Sequence, residues 1–313
     1  MVDPLADVVS LLQPRTPFSK LVVASAPWAV RRSALDRPFY FAVLHGACQL
    51  TVESETLTLQ AGDFALVPAA RAFATSSLDR APPREDEAVS TPITAMPGGA
   101  RVGDPEGAVD LRMLVGHCVF ASADAALLVP LLPRWLHVRG DPRLATLMQL
   151  VGDESRAERP AREIVMARLL EVLLIEALRS TAGTAASPGL VRGLADARLA
   201  LALRALHGRP AQAWTVAGLA REAAMSRSAF FERFQRAVGV APMAYLLTWR
   251  MALARQLLAQ RGLAMAEVAE RVGYSSVSTF GVAFTRHVGM PPGRYARQAA
   301  DTLRSSGSTA DLA

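Results

Sequence analysis

Two cysteines in 313 residues, Cys48 and Cys118, rule out a scaffold stapled by several disulfides. They stand far apart without ligand-like neighbours, so a structural zinc site is also excluded. Both are expected reduced and buried, in a cytoplasmic protein. No uninterrupted apolar run approaches the ~20 residues that a membrane-spanning helix needs. The first residues include Asp3 and Asp7 and no basic-then-apolar leader, so neither a signal peptide nor a membrane partner is expected. Histidine is scarce: after His45 the next is His117, 72 positions later. A catalytic metal needs about three converging ligands. No catalytic residue, metal ligand or cofactor is therefore assigned, and the chain is read as not an enzyme. Lysine is almost missing, with Lys20 alone among 34 basic residues.

The length suggests two domains, each able to bury a core. The charge is unevenly shared between them. Residues 1–195 carry 19 basic and 21 acidic side chains, a balance of −2. Residues 196–298 carry 14 Arg against 5 acids, a balance of +9, and the rest carry one Arg and two Asp, giving the net +6. A basic block beside a neutral one is the pattern of a phosphate-binding domain joined to a non-binding one. Scattered arginines on solvated faces are the plainer alternative. They do not explain why the excess falls in one region.

That region contains a repeat, Val216 to Tyr245 and Met265 to Tyr295. Ala220 falls on Ala269, Ser226 on Ser275, Phe230 on Phe280, Phe234 on Phe284, Gly239 on Gly289, Pro242 on Pro292 and Tyr245 on Tyr295. Each copy reads as helix, turn, helix. Serine can cap the second helix, apolar residues recur every four positions, and glycine can stop it. An ordinary helical bundle would share such stripes. Two copies in register, with arginine throughout, favour paired helix-turn-helix units whose second helices enter DNA major grooves. The segment from Pro242 to Gln260 would be a helix of roughly 28 Å, near the ~34 Å between successive grooves on one face.

The motifs Leu219-Ala220-x-x-Ala223-x-Met225-Ser226, Phe230-x-x-x-Phe234, Gly239-x-x-Pro242-x-x-Tyr245, Arg250-Met251-x-x-Ala254-Arg255-x-x-Leu258 and Val268-Ala269-x-x-Val272-Gly273-Tyr274 stand in this order. Phe280-x-x-x-Phe284 and Gly289-x-Pro291-Pro292-x-x-Tyr295 follow. Residues 196–298 so resemble the DNA-binding domain of AraC/XylS-type transcription regulators. The resemblance implies two helix-turn-helix units on a long spacer helix. It places Ser228, Ala229 and Glu232 where base contacts are expected. The outward side of the first recognition helix adds Arg227, Phe231, Gln235 and Arg236. Arg forks to guanine, Gln to adenine, Glu accepts from cytosine, and Phe packs on a thymine methyl. On the second helix Ser276, Val277, Ser278, Thr279 and Val282 hold the corresponding places, with Thr285 and Arg286 toward phosphate. The first copy is therefore expected to supply most of the base discrimination.

The N-terminal part is strand-rich: Leu21–Val23, Tyr40–Leu44, Cys48–Val52 and Thr56–Leu59, then Phe64 onward, with a strand pair at Val109–Leu114 and Gly116–Phe120. Together with Leu59-x-Ala61-Gly62-Asp63-x-x-Leu66-Val67-Pro68, it resembles the cupin-like effector domain of such regulators. Residues 5–13 read as a short helix and 79–107, rich in Pro and Gly, as a long surface loop. Helical stripes cover Pro142–Val151 and Ala161–Ser180. In similar regulators this pair is a dimer contact, with packing on the barrel as the alternative.

The fold class expected is α+β: an antiparallel cupin-like β barrel with a helical dimerisation segment, followed by an all-α domain of two helix-turn-helix units. The boundaries are 1–180, a linker at 181–195, 196–299, and a disordered tail at 300–313. The function expected is sequence-specific transcription regulation under a small-molecule effector, with Arg31, Tyr40 and His45 as candidate effector contacts. The partners expected are double-stranded DNA, that effector and a second copy in a homodimer, with RNA polymerase as a further candidate. A ligand-independent DNA binder and a cupin-type metalloenzyme remain as alternatives.

Overall fold

Apolar residues at every second position form a strand when one face can be buried. The computed structural model describes residues 2–308 apart from 13, 33–36, 54, 71, 81–90, 98, 121–127, 133–134, 158, 181–188 and 261. Contacts divide the chain into two units: Leu12–Ala125 with Leu132–Arg192, and Met1–Leu11 with Ala126–Leu131 and Gly193–Ala313.

The first unit holds β1 (Pro14–Ser25), β2 (Ala29–Arg32), β3 (Arg37–His45), β4 (Ala47–Val52), β5 (Glu55–Gln60), β6 (Phe64–Ala70) and β7 (Phe73–Ser76). It continues with β8 (Ile93–Met96), β9 (Gly99–Gly103), β10 (Leu111–Phe120) and β11 (Leu136–Val138). Seven strands form one sheet, ordered β11-β6-β3-β10-β1-β9-β8, and four form the other, ordered β2-β7-β4-β5. Trp28, Phe41, Leu50, Leu59, Val67, Phe73, Leu111 and Met113 make a common core from both sheets. The pairing is antiparallel except between β1 and β9, where Leu21 faces Gly99 in parallel.

Two expectations change here. The strand pair expected at Val109–Leu114 and Gly116–Phe120 is one strand, β10. Gly116 is not a turn: a Cβ there would lie 2.4 Å from the Tyr40 ring, so the glycine admits that ring. The stretch 79–107, expected as a loop, contains β8 and β9, while 81–90 lie outside the described residues. Pro97 does stand in a turn, the one that joins β8 to β9, where Met96 pairs with Gly99. Gly99 itself lets two backbones approach, since a Cβ would meet the Leu21 carbonyl oxygen at 2.1 Å.

Asp63, 1 % exposed, ties β11 to β6. Its carboxylate accepts from Arg139 Nη2 at 3.0 Å and from the Gln60 amide at 3.1 Å, and lies 2.9 Å from His137 Nε2. Burial alone would raise this carboxyl; the hydrogen bonds from Arg139 and His137 outweigh it and hold it below the usual range. Cys48 is buried, and its thiol is pushed up to about 12 by desolvation and then by Asp63, which leaves it inert as a nucleophile.

Two helices follow the strands, α2 (Pro142–Arg156) and α3 (Arg162–Ser180). Asp141 caps α2 by accepting from the Arg143 and Leu144 amides. One face of α3 is buried through Leu173, Leu174, Ala177 and Leu178, whereas Ile164, Val165 and Val172 stay exposed. In the expected linker, 181–188 lie outside the described residues and Leu190–Ala195 forms the short helix α4.

The second unit is helical: α1 (Pro4–Leu12), then α5 (Ala197–Gly208), α6 (Val216–Glu222), α7 (Arg227–Val238), α8 (Pro242–Ala259), α9 (Met265–Arg271), α10 (Val277–Val288) and α11 (Pro292–Ser308). Helix α11 runs on into the expected tail, through Ala299 and Ala300, which favour helix. Residues 309–313 lie outside the description. Helix α1 belongs to this unit rather than to the strands that follow it. Its Asp7 Oδ2 lies 3.0 Å from His207 Nδ1, while His207 Nε2 lies 2.7 Å from the Tyr245 hydroxyl. With Nδ1–H donating to the carboxylate, Nε2 accepts from Tyr245. The imidazole also stacks on Trp249, ring centroids 4.1 Å apart.

Burial pulls the His207 imidazole below its ordinary 6.5, against the opposing pull of Asp7. The unfolded chain then takes up a proton that the folded one resists. Stability is full above about pH 6.5 and is lost as pH falls below it. The unfolding temperature of the full chain is expected to drop between pH 7 and pH 5, with a shallower drop in His207→Gln; equal slopes would remove this assignment. Tyr245→Phe strands the Nε2 acceptor and is expected to cost about 1–3 kcal/mol at neutral pH by thermal unfolding.

Candidate nucleic-acid interface

The two copies of the sequence repeat fold onto the same plan, down to ring angles. In the first, Phe230 and Phe234 lie 5.5 Å apart at 50°, and Phe234 meets Tyr245 edge-on at 5.9 Å. In the second, Phe280 and Phe284 lie 5.5 Å apart at 55°, and Phe284 meets Tyr295 edge-on at 5.7 Å. These four phenylalanines are wholly buried. Each triad anchors its recognition helix by one side and so leaves the other side outward.

Helix ends repeat as well. Ser226 caps α7 by accepting from the Ala229 amide. In copy two the cap is Ser276, accepting from the Thr279 amide, and not Ser275, the serine aligned with Ser226 and expected there, because the inserted residue falls before the cap. Gly239 at φ 88° and Gly289 at φ 86° close the two helices in the left-handed region that glycine enters freely. The helix-turn-helix bends also correspond: Ala224 at φ 50° matches Gly273 at φ 81°. An alanine pays a steric cost there that glycine does not.

The reason glycine is needed in copy two lies in Arg250, on the spacer helix α8. Arg250 Nε donates to the Pro210 carbonyl and Nη2 to the Gln212 carbonyl, both at 2.8 Å. The guanidinium also sits over the Tyr274 ring at 5.9 Å. It thus joins the loop before copy one to the turn of copy two. A Cβ on Gly273 would come within 2.5 Å of Arg250 Nη2 and 2.8 Å of the Ala211 carbonyl oxygen.

On α7, Arg227, Ser228, Ala229, Phe231, Glu232, Gln235 and Arg236 are all exposed. On α10, Ser276, Val277, Ser278, Thr279, Val282 and Arg286 are exposed. Val282 is 69 % exposed, high for an apolar residue on a well-packed helix. Thr285 is half-buried, and its hydroxyl donates to the Gly281 carbonyl at 2.7 Å, so it turns into its own helix. The sequence reading omitted Arg233, which is exposed on α7 with its guanidinium held by Asp196. Asp196 also caps α5, the sign that could have marked it. Arg250 was legible only as part of the spacer motif, because the carbonyls it holds lie 40 and 38 residues away.

In the other unit a cavity of about 370 Å³ opens between the two sheets. Val30 and Arg32 line it, so Arg31 between them faces away. Phe39 and Phe41 line it, so Tyr40 likewise turns outward, where it stacks on Phe64 at 6.2 Å. His45 is exposed at the end of β3. None of these three expected effector contacts is among the lining residues. Among the described residues no three His, Cys, Asp or Glu side chains group as metal ligands would, and no single helix is long and apolar enough to cross a membrane.

A family described as "Cupin" matches residues 3–183, and one described as "Helix-turn-helix domain" matches residues 219–298. A putative AraC-like transcription regulator of Streptomyces lividans is 37% identical over 302 residues, 94% of this chain and 98% of that protein. The chain belongs to the AraC-like transcription regulators. The regulator AlkR of Acinetobacter baylyi is 28% identical over 88% of this chain and 93% of its own. Among solved structures, the DNA-binding domain of AdpA in complex with a target DNA is similar at 33% identity, over 32% of this chain and 90% of that one, with a TM-score of 0.30. As a member of this family the protein is a DNA-binding transcription regulator, with DNA as its partner.

Ala224→Gly is expected to be neutral or to stabilise by up to about 1 kcal/mol, since relief of the left-handed strain competes with a freer unfolded chain. Gly273→Ala should destabilise by about 2 kcal/mol or more, through the φ and the clash with Arg250 and Ala211 together. Denaturant melts of the full chain compare them, and equal effects would contradict the crowding described at Gly273.

Proposed function

We propose that the exposed faces of α7 and α10 read adjacent major grooves of a promoter, and that a small molecule held between the N-terminal sheets controls this binding. The observation that carries the first part is the matched pair of recognition helices, each anchored by its aromatic triad and each presenting polar and apolar side chains outward. Helix α8, 18 residues long, spans about 27 Å, commensurate with the ~34 Å groove repeat. Copy one supplies most hydrogen-bonding readout through Arg227, Ser228, Glu232, Gln235 and Arg236. Copy two, with Val277 and Val282 exposed, contributes apolar contact to thymine methyls, and Arg286 holds phosphate.

The effector reading rests on a cavity within the size range of small-molecule sites. Dimerisation through α2 and α3 is supported by exposed Leu150, Ile164, Val165 and Val172. The protein works in the cytoplasm, as a regulator and not as an enzyme, with RNA polymerase as a further partner. Sedimentation of the full chain tests the dimer, and a monomer at micromolar concentration removes it.

Footprinting of the full chain on genomic DNA tests the main reading. Recurrent protection of promoter sites sharing a motif is expected; no enrichment over random fragments sinks it. Selection from a randomised site then separates the roles. Glu232→Ala is expected to change preference at one base, at a cost of about 1–3 kcal/mol. Arg286→Ala should weaken all sites alike and lower the salt slope by about 1. If Val282→Ala relaxes specificity more than Glu232→Ala does, the division of labour between the copies is wrong.

A further inference from the structure

We infer that Arg233 is a withheld phosphate contact: the Asp196 carboxylate holds its guanidinium on the flank of the first recognition helix and so lowers the attraction of that helix for DNA of any sequence. The inference rests on the reading that α7 lies in a major groove. It adds a pair of residues that sets how much of the binding is indiscriminate.

The place of Arg233 on α7 defines what it can touch. It stands one turn beyond Ala229, between the buried side of Phe230 and Phe234 and the outward side of Glu232 and Arg236. A long side chain on that flank reaches the wall of a groove, where the phosphates lie, and not the base edges at its floor. The side chain is half-exposed, yet its Nε donates to Asp196 Oδ2. Among the described residues, Arg227 and Arg236 of α7 and Arg286 of α10 take part in no ion pair. One cation of the recognition helices is thus held back while the others stand open to DNA.

Asp196 is a fixed holder. It caps α5, and its Oδ1 accepts from the Arg198 and Leu199 amides, which leaves Oδ2 to Arg233. Burial pulls this carboxyl up, but the hydrogen bonds from Arg233 and the two amides outweigh it and hold it below the usual range. The charge that faces Arg233 therefore persists at neutral pH. A carboxylate already fixed by its cap gives up little further freedom on pairing, unlike the common surface ion pair between two mobile side chains.

The repeat shows that the pair is not needed to seat the helix. The offset that puts Phe230 on Phe280 and Phe234 on Phe284 puts Arg233 on Ala283. Helix α10 keeps the same aromatic triad with alanine at that place. Non-specific binding grows with the number of phosphates neutralised, whereas base readout does not. Cancelling a flank cation therefore weakens indiscriminate binding and spares the side chains that read bases.

Fluorescence anisotropy of the full chain on a duplex of random sequence, over a range of salt, tests this. Asp196→Asn keeps the capping oxygen and removes the charge, and Asp196→Ser caps as well without reaching Arg233. Each is expected to tighten binding about fivefold and to steepen the salt slope by about 0.9, the increment of one further phosphate. Arg233→Gln is expected to change neither quantity by itself and to cancel the gain of Asp196→Asn in the double variant. The proposal is overturned if neither Asp196 variant steepens the slope or if the gain survives in the double variant. It is overturned also if Arg233→Gln alone flattens the slope, because Arg233 would then already lie on phosphate. Arg227→Gln keeps this apart from the groove reading. If it flattens the slope while Asp196→Asn leaves it unchanged, α7 lies against DNA and the withheld contact fails. If both leave it unchanged, the groove reading fails as well.

Discussion

One arginine links the two halves of the DNA-binding unit. Arg250 leaves the middle of the spacer helix and holds two carbonyls of the loop before copy one while lying over a tyrosine of copy two. Burial of that guanidinium lowers its pKa somewhat, and two carbonyl acceptors and an aromatic face replace the water it gives up. The spacer helix packs Tyr245 against Phe234 of copy one and Met251, Ala254 and Leu258 into the core of copy two, and Arg250 adds its hydrogen bonds to that packing. Gly273 is the counterpart of this arrangement, because the guanidinium occupies the space where its Cβ would be.

Below that connection, each recognition helix is fixed by its aromatic triad. Burying Phe230 and Phe234, or Phe280 and Phe284, leaves the opposite face of the helix outward by geometry alone. The faces differ in chemistry although their supports match. The first bears arginine, glutamate and glutamine; the second bears serine, threonine and two exposed valines. The strand unit applies the same alternation differently. Its inward positions carry aromatic and aliphatic side chains, with Lys20, Arg32 and Thr75 among the described residues that line the cavity.

Much of the fold was legible in the chain because local pattern and tertiary role agree. The repeat of Phe at four-residue spacing, closed by Gly239 and Gly289, is both a sequence signal and the packed triad. The strands Cys48–Val52 and Thr56–Leu59 alternate because each has one buried face, and Tyr40–Val43 is a continuous apolar run because both of its faces are buried. Legibility failed where glycine serves packing rather than turning. Gly116 lies within a strand to admit the Tyr40 ring, and Gly99 allows a parallel neighbour close to Leu21. It failed also for β8, whose side chains are largely exposed and so carry no alternation.

From the sequence by itself come the two-domain plan, the charge asymmetry, the doubled helix-turn-helix and the outward residues of both recognition helices, because each depends on periodicity within a few turns of chain. Only the tertiary structure decided which side chains meet across long separations. It placed Asp7 against His207 and Arg250 against the loop near Pro210. It turned Tyr40 away from the cavity and brought Lys20 and Arg32 to it from different sheets. The facing of Tyr40, Lys20 and Arg32 depends on sheet order and strand register, which a shift of one residue would invert, and the helical pairings depend on how helices far apart in the chain pack; the local composition records neither.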